Sequence, residues 1–256
     1  MASAPTKQLP LFYQDLTPLN SRDHGSWRTR SVDKASWLVG QHAVPVTVEE
    51  FPQAQRFYPI IFSMGSDPVP LALMGLNEGI NTFVDDEGTI LDGAYIPAYV
   101  RRYPFLLAKL APNTDELSLC FDPGSDIIGD FKEGEALFEG DAPSPRTQEM
   151  LEFCQRFEQA GQRTSAFVKE LKDQGLLMDG EVAIRQPGNE DKPFIYRGFQ
   201  MVDEKKLRKV RGETLRKWNE NGVLALVYAH LFSLDLLRNV FGRQVQQGKG
   251  PAIKAK

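Results

Sequence analysis

The sequence predicts an α+β fold, with an antiparallel β-meander region followed by a C-terminal helical part in a single compact domain. Short apolar runs separated by Gly, Asp, Asn and Pro fill residues 44–122, which is the pattern of strands joined by tight turns. From residue 145 onward the apolar residues recur mainly at helical spacing. The chain has 256 residues, of which 41% are hydrophobic, so it can bury a full core without disulfides or metal ions.

The β-rich part begins with a strand at AVPVTV and a short helix, whose capping box pairs Thr47 with Glu50. PIIFSM and VPLALMGL flank a GSDP turn and predict a hairpin, and NTFV and TIL flank a DDEG turn. YIPAYVRRYPF predicts a helix that stops near Arg102, because the residue before a proline disfavours helical backbone. FLLAKL and ELSLCFD then resume the strands. Sequential hairpins of this kind imply a meander.

The helical part follows a long loop that is rich in Gly, Asp and Pro and holds one short strand near ALF. Helical structure is predicted from a cap at Ser144 to a glycine end at Gly175, and Gly161 leaves open whether it is one helix or two. EVAIRQ and PFIYRGFQMV predict a second hairpin, after which Asp203 caps a further helix. The last helix, over about residues 223–241, is apolar on nearly every face, so we expect it to be the central core helix.

Both ends of the chain are polar and contain Pro or Gly. Residues 1–10 and 243–256 are therefore expected to be disordered, and the domain to cover residues 11–242.

The start lacks a charged segment followed by an apolar one, and no run of about eighteen apolar residues occurs. The sequence therefore predicts a soluble, cytoplasmic protein with no secretory signal and no membrane span.

Charge and cysteine content exclude several classes of protein. A net charge of −4 and a pI of about 5.5 argue against a nucleic-acid partner, since such partners are bound by basic surfaces. Cys120 and Cys154 stand in apolar runs and are expected to be small buried side chains. No His, Cys or carboxylate cluster has metal-ligand spacing, and no nucleotide-binding or hydrolase motif occurs. No metal and no cofactor is predicted, and the oligomeric state is left open.

The segment YIPAYVRRYPF places two adjacent arginines among tyrosines and directly before an apolar run. One interpretation is structural, in which Arg101 and Arg102 are partly buried and bind carboxylates and backbone carbonyls. The other is functional, in which the pair forms a fork that binds a carboxylate, a phosphate or an acidic sugar. Tyr95, Tyr99 and Tyr103 lie four residues apart, hence on about one helical face, and would stack beside that ligand.

His230 and the Asp203–Glu204 pair also have two interpretations each. His230 lies on an apolar helical stripe and is either a core histidine with internal hydrogen bonds or a proton carrier or ligand contact in a pocket. Asp203 and Glu204 either start a helix, where they can also bind the arginines, or act as general acid and base. The candidate ligand-binding set is Arg101, Arg102, Tyr95, Tyr99, Tyr103, His230, Asp203 and Glu204.

A family resemblance rests on FYPIIF, ALMGL…NTFVDDEG, YIPAYVRRYPF, ALFEGD, GFQMVDEKKL and VYAHLFSL, taken in this order and spacing. Over about residues 10–240 the chain resembles the SapC family of surface-layer-related bacterial proteins. The resemblance implies a gene neighbourhood linked to a crystalline surface layer. Similar proteins are often encoded beside TonB-dependent receptors, cupin-like proteins and tryptophan-halogenase-like proteins. It implies no established reaction and no cofactor. A peptide-transport permease of the same name would need several membrane spans, so that label does not fit.

Two functions from different classes follow. The first is a non-catalytic soluble accessory or binding protein linked to a bacterial cell-surface or TonB-dependent uptake system. Its partner would be an unknown protein or a small anionic ligand, with an anion site at the arginine pair. The alternative is an enzyme of unrecognised type, whose site gathers His230, Arg101, Arg102 and Asp203 or Glu204 around a pocket.

Overall fold

The computed structural model describes residues 9–110, 116–186 and 189–250. Strands and helices alternate along these ranges in the following order: β1 (Thr17–Pro18), α1 (Ser21–His24), β2 (Arg28–Thr29), β3 (Ala43–Pro45), α2 (Phe51–Ala54), β4 (Ile60–Phe62), β5 (Pro70–Leu73), α3 (Ala98–Arg101), β6 (Phe105–Ala108), β7 (Ser118–Phe121), β8 (Ile128–Gly129), β9 (Glu135–Ala136), β10 (Phe138–Glu139), β11 (Ala142–Pro143), α4 (Pro145–Asp173), β12 (Leu177–Gln186), β13 (Asn189–Val202), α5 (Glu204–Leu207), α6 (Glu213–Glu220), α7 (Val223–Ser233) and α8 (Leu237–Gln246). Short 3-10 helices cover Ser36–Leu38, Val48–Glu50 and Leu234–Leu236.

The chain divides into two compact units, each built from two separate stretches. The first unit takes Met1–Lys34 and Val100–Glu158, and the second takes Ala35–Tyr99 and Gln159–Lys256. One division falls inside α3 and another inside α4. The single domain that the sequence predicts over residues 11–242 stays a prediction.

The predicted α+β class is confirmed, because antiparallel sheets and helices occur together. The second unit contains a five-stranded sheet of order β12-β13-β4-β5-β3, antiparallel throughout. The hairpin predicted from PIIFSM and VPLALMGL is β4–β5, with Ile60 opposite Ala72. The predicted meander is not continuous, since β3 pairs with β5 and the strands β6 and β7 belong to another sheet. NTFV and TIL are joined by a bridge between Val84 and Ile90.

The first unit forms its core between short strands and the first half of α4. β6 and β7 pair from Phe105 opposite Phe121 to Ala108 opposite Ser118, and β1 adds to the other edge of β7. A second three-stranded sheet has the order β8-β2-β9. The continuous apolar runs FLLA and SLCF become buried strands, and the core residues are Phe105, Leu107, Phe121, Ile128, Leu137, Phe138 and Cys154.

The C-terminal segment Val223–Gln246 consists of α7, the 3-10 turn and α8 in direct succession. Val227 and His230 on α7 are fully buried, whereas Tyr228 and Phe232 on its other side are exposed. The expectation of a central core helix is therefore wrong for one side of α7, because the described chain covers only the side of His230. The predicted disordered tail also begins too early, since α8 continues to Gln246 and Arg243 binds the carboxylate of Asp92 at 2.8 Å. Residues 1–8 and 251–256 lie outside the described residues.

By length and composition alone, Val223–Gln246 is also long and apolar enough to cross a membrane, with 24 residues and an 18-residue window whose mean hydropathy is 1.4. The sequence predicts no membrane span because its longest apolar run is short and interrupted by polar residues. In the structure, the helical segment that contains this run continues to Gln246 and is therefore longer than the run itself. Core helices of globular proteins pass the same test, and 33% of the apolar window is buried. The internal hydrogen bonds of His230, described below, favour a packed helix on that side.

Candidate functional site

Glu50 holds the start of the YIPAYVRRYPF segment within the second unit. One carboxylate oxygen accepts from the Tyr95 hydroxyl at 3.0 Å and from the backbone N–H of Ala98, the first residue of α3, at 2.6 Å. The other oxygen accepts from the backbone and hydroxyl of Thr47 at 2.9 and 3.0 Å, which confirms the predicted capping box. Tyr58 donates to the Tyr95 carbonyl at 2.6 Å. Tyr95 is therefore positioned by buried polar groups, and its hydroxyl donates to a carboxylate of its own unit.

Arg102 lies in the first unit, buried to 6% exposure. Its guanidinium lies 3.5 Å from the carboxylate of Glu158 and 4.4 Å from the ring centroid of Phe157. Arg101 points outward, with its guanidinium 5.4 Å from the Phe153 ring. The structural interpretation named carboxylates such as Asp203 or Glu204 as partners, but Arg102 pairs with Glu158, while Asp203 caps α5 and Glu204 pairs with Arg208. In the functional interpretation, Arg101 and Arg102 bind an anion together. The guanidinium of Arg102 would first have to leave the carboxylate of Glu158.

Tyr103 belongs to a buried polar group around Asp122 in the first unit. Its hydroxyl lies 3.4 Å from the Asp122 carboxylate, which also accepts backbone N–H groups from Gln14 and Gly124 at 2.8 and 2.9 Å. The Tyr103 ring meets Tyr13 edge to face at 5.3 Å. Partial burial and the negative charge of Asp122 raise the pKa of Tyr103. The hydroxyl therefore stays protonated at neutral pH.

His230 is fully buried in the second unit, and both of its ring nitrogens have backbone partners. Nε2 accepts from the Val202 N–H at 3.1 Å, so Nδ1 carries the proton and donates to the Ile60 carbonyl at 2.7 Å. Ser233 completes this cluster, accepting from the Ile60 N–H at 2.8 Å and donating to the His230 carbonyl at 2.6 Å. Burial lowers the pKa of His230 from 6.5 to about 4, although the bond to Ile60 acts in the opposite direction. The imidazole is therefore neutral at pH 7.

Asp203 and Glu204 begin α5, as predicted from the sequence. Asp203 accepts from the backbone N–H groups of Lys205 and Lys206 at 2.9 and 3.1 Å, which is the N-cap arrangement. Glu204 binds Arg208 one turn later at 2.5 Å. Tyr99, the remaining member of the predicted set, is buried in the second unit at 6% exposure.

The eight predicted site residues thus divide between the units, with Arg101, Arg102 and Tyr103 in the first and the other five in the second. Two open surface cavities lie elsewhere, and each belongs to a single unit. One, of about 490 Å³, is lined by Ala183, Arg185 and Arg238. The other, of about 570 Å³, is lined by Arg30, Ser31 and residues 130–134. Neither cavity is lined by a predicted site residue.

Sequence reasoning missed the exposed side of α7. The rings of Tyr228 and Phe232 stack at 5.7 Å between centroids, with 41% and 68% of the two side chains exposed. A basic segment, residues 205–211, follows Val202, whose backbone N–H donates to His230 on α7 at 3.1 Å, so the segment starts beside this helix. We call residues 205–211, Tyr228 and Phe232 the aromatic–basic surface. A helix that is apolar on nearly every face gives no sequence signal for which side stays exposed.

These contacts define an α+β protein in which most candidate site residues are held by internal hydrogen bonds and ion pairs, while its C-terminal helix exposes aromatic side chains. The chain belongs to the SapC family, since the SapC family model matches residues 19–240. No curated protein and no solved structure matches the chain.

Proposed function

We propose that the protein is a non-catalytic accessory protein of a bacterial cell-surface or TonB-dependent uptake system, acting from the cytoplasm by binding through an exposed surface. The observation that carries the proposal is the exposed aromatic pair on α7. His230 fixes one side of this helix in the core, while Phe232 on the other side is 68% exposed. Contiguous exposed apolar surface is typical of interaction sites.

Support for binding rather than catalysis comes from the groups best suited to chemistry. His230 is neutral with both ring nitrogens hydrogen-bonded to backbone. Burial raises the pKa of the Cys154 thiol to about 12, so it is not a thiolate nucleophile at neutral pH. Arg102 is buried against Glu158. Each of these groups would have to give up internal contacts before it could act on a substrate.

An anion site at the arginine pair stays a prediction within this proposal. It would depend mainly on Arg101, whose side chain is exposed, since Arg102 is buried beside a carboxylate of its own unit. The alternative, an enzyme whose site joins His230, both arginines and Asp203 or Glu204, has less support. Asp203 caps α5 and His230 is buried in the core.

The experiment is site-specific photocrosslinking in cells of the encoding bacterium. The photoreactive residue p-benzoylphenylalanine replaces Phe232 in one variant and Leu117 in a control variant. Leu117 is also an exposed apolar residue, at 43%, but it belongs to the first unit. We expect a discrete adduct, with protein or lipid, from position 232 and not from position 117. No adduct at 232, or equal labelling at both positions, would refute the proposed binding surface.

A further inference from the structure

The aromatic pair of the aromatic–basic surface has the chemistry of a membrane-interface contact. Phe232 is the most exposed large hydrophobic side chain among the described residues, at 68%. Tyr228 stacks on it one turn earlier and combines an apolar ring with a polar hydroxyl. Side chains of this kind concentrate where lipid headgroups meet acyl chains, because the ring leaves water while the hydroxyl stays hydrated.

The basic segment next to this pair carries uncompensated positive charge. Residues 205–211, KKLRKVR, hold five positive charges and no negative charge, in a chain whose net charge is −4. Arg208 pairs with Glu204, and Lys206 donates to the Gly175 carbonyl at 2.9 Å. Lys205, Lys209 and Arg211 are exposed and form no ion pair with any residue in the described ranges. Their charge is therefore available to an external anion.

An anionic bilayer satisfies both parts of this surface at once. Its acyl boundary accepts exposed rings, and its phosphate headgroups attract clustered lysine and arginine. Asp235 opposes this attraction, since it is exposed three residues after Phe232. We propose that the aromatic–basic surface docks the protein peripherally onto an anionic phospholipid membrane, with Phe232 and Tyr228 at the headgroup boundary and the cations on the phosphates. This inference rests on the proposed function and names the occupant of its binding surface.

The test is flotation of the purified full-length protein with sealed vesicles. One set contains equal amounts of phosphatidylglycerol and phosphatidylcholine, and the other contains phosphatidylcholine alone. We expect binding to the anionic vesicles and a large loss when salt screens the charges. Binding to neither set, or equal binding to both, would overturn the proposal.

Variants on the surface separate the two contributions. Phe232→Ser is expected to weaken binding about tenfold, because it removes an exposed ring that would enter the bilayer. The triple variant Lys205→Gln, Lys209→Gln and Arg211→Gln is expected to lose about a hundredfold, at about fivefold per cation. Asp235→Asn is expected to strengthen binding, because it removes the opposing charge.

Matched controls keep the test specific to this surface. Leu117→Ser removes an exposed apolar side chain from the first unit. The triple variant Arg22→Gln, Lys132→Gln and Arg156→Gln removes the same charge from exposed positions of that unit. Both controls should bind vesicles like the native chain, and the same loss in the controls as in the surface variants would overturn the proposal.

The lipid proposal can fail while the proposed function stands. A protein adduct from the crosslinker at position 232, together with no vesicle binding, would overturn membrane docking and retain a binding surface. No adduct and no vesicle binding would overturn both. A lipid adduct that is lost when Lys205, Lys209 and Arg211 are neutralised would support both.

Discussion

Acidification should destabilise the protein through His230. The neutral ring donates from Nδ1 to the Ile60 carbonyl and accepts at Nε2 from the Val202 N–H. A proton added to Nε2 would point at the Val202 N–H, which is also a donor, in a site that water does not reach. Because the pKa of His230 is about 4 in the folded chain and 6.5 in the ordinary state, the unfolded chain binds the proton first. Stability therefore falls as the pH drops from about 6.5 towards 4.

The size of the effect follows from the two pKa values. At about 1.4 kcal/mol per pH unit, the difference is worth roughly 3 kcal/mol of unfolding free energy once the pH is below both. Most of this, about 2.5 kcal/mol, is already lost at about pH 4.5, and almost none is lost at about pH 7.5. For a fold with a total stability of about 5–15 kcal/mol, such a loss is readily measured.

The assay is urea unfolding of the native chain and His230→Asn at both pH values. At the higher pH the variant should be less stable by about 2–4 kcal/mol, because Val202 loses its acceptor and the core loses a ring. Its further loss on acidification should be smaller than that of the native chain by about 2.5 kcal/mol, since asparagine does not titrate in this range. Equal losses in both proteins would refute the buried neutral histidine. If the variant does not fold, an NMR titration of His230 in the native chain gives the same answer, and a midpoint near 6.5 would contradict the prediction.

Three further predictions concern buried groups. Glu50→Gln should reduce the unfolding free energy by about 2–4 kcal/mol in urea titrations, because the new amide nitrogen cannot accept the hydrogen bonds of the oxygen it replaces. A loss below about 0.5 kcal/mol would contradict this. Cys154, whose thiol pKa burial raises to about 12, should react with iodoacetamide only on unfolding, and rapid labelling of the native chain by mass spectrometry would count against it. Gly75→Ala should lower the melting temperature strongly, because a Cβ there overlaps the Ile80 carbonyl oxygen. Gly161→Ala, in open space on α4, should raise the melting temperature. A higher melting temperature for Gly75→Ala than for Gly161→Ala would disprove both expectations.

Local signals in the sequence predicted local structure well. The Thr47–Glu50 capping box and the Asp203 cap depend on residues within three positions of each other, and both occur as predicted. The β4–β5 and β12–β13 hairpins likewise follow from runs that are close in the chain. Such interactions need no knowledge of the rest of the fold, so the residue pattern is sufficient to predict them.

The partners of the candidate site residues could not be predicted in the same way. His230 donates to the carbonyl of Ile60, which is 170 positions away in the sequence. Arg102 pairs with the carboxylate of Glu158 on α4, which also lies far along the chain. A sequence shows that a buried histidine needs partners, but the tertiary fold decides which backbone groups they are. The exposed side of α7 was missed for a related reason. When every face of a helix is apolar, the rest of the fold decides which side is covered. The rings on the uncovered side stay in water.

The interleaving of the two units affects the order in which the chain becomes able to fold during synthesis. Every segment of the first unit exists once Glu158 has been added. β4, in contrast, must wait for Gln200 on β13 and for His230 to bind the Ile60 carbonyl. Throughout that interval β4 has left the ribosome with β5 beside one edge and its β13 edge open, and open strand edges are prone to associate with other chains. The nascent protein should therefore need chaperone protection most for a segment that was made early and is completed last.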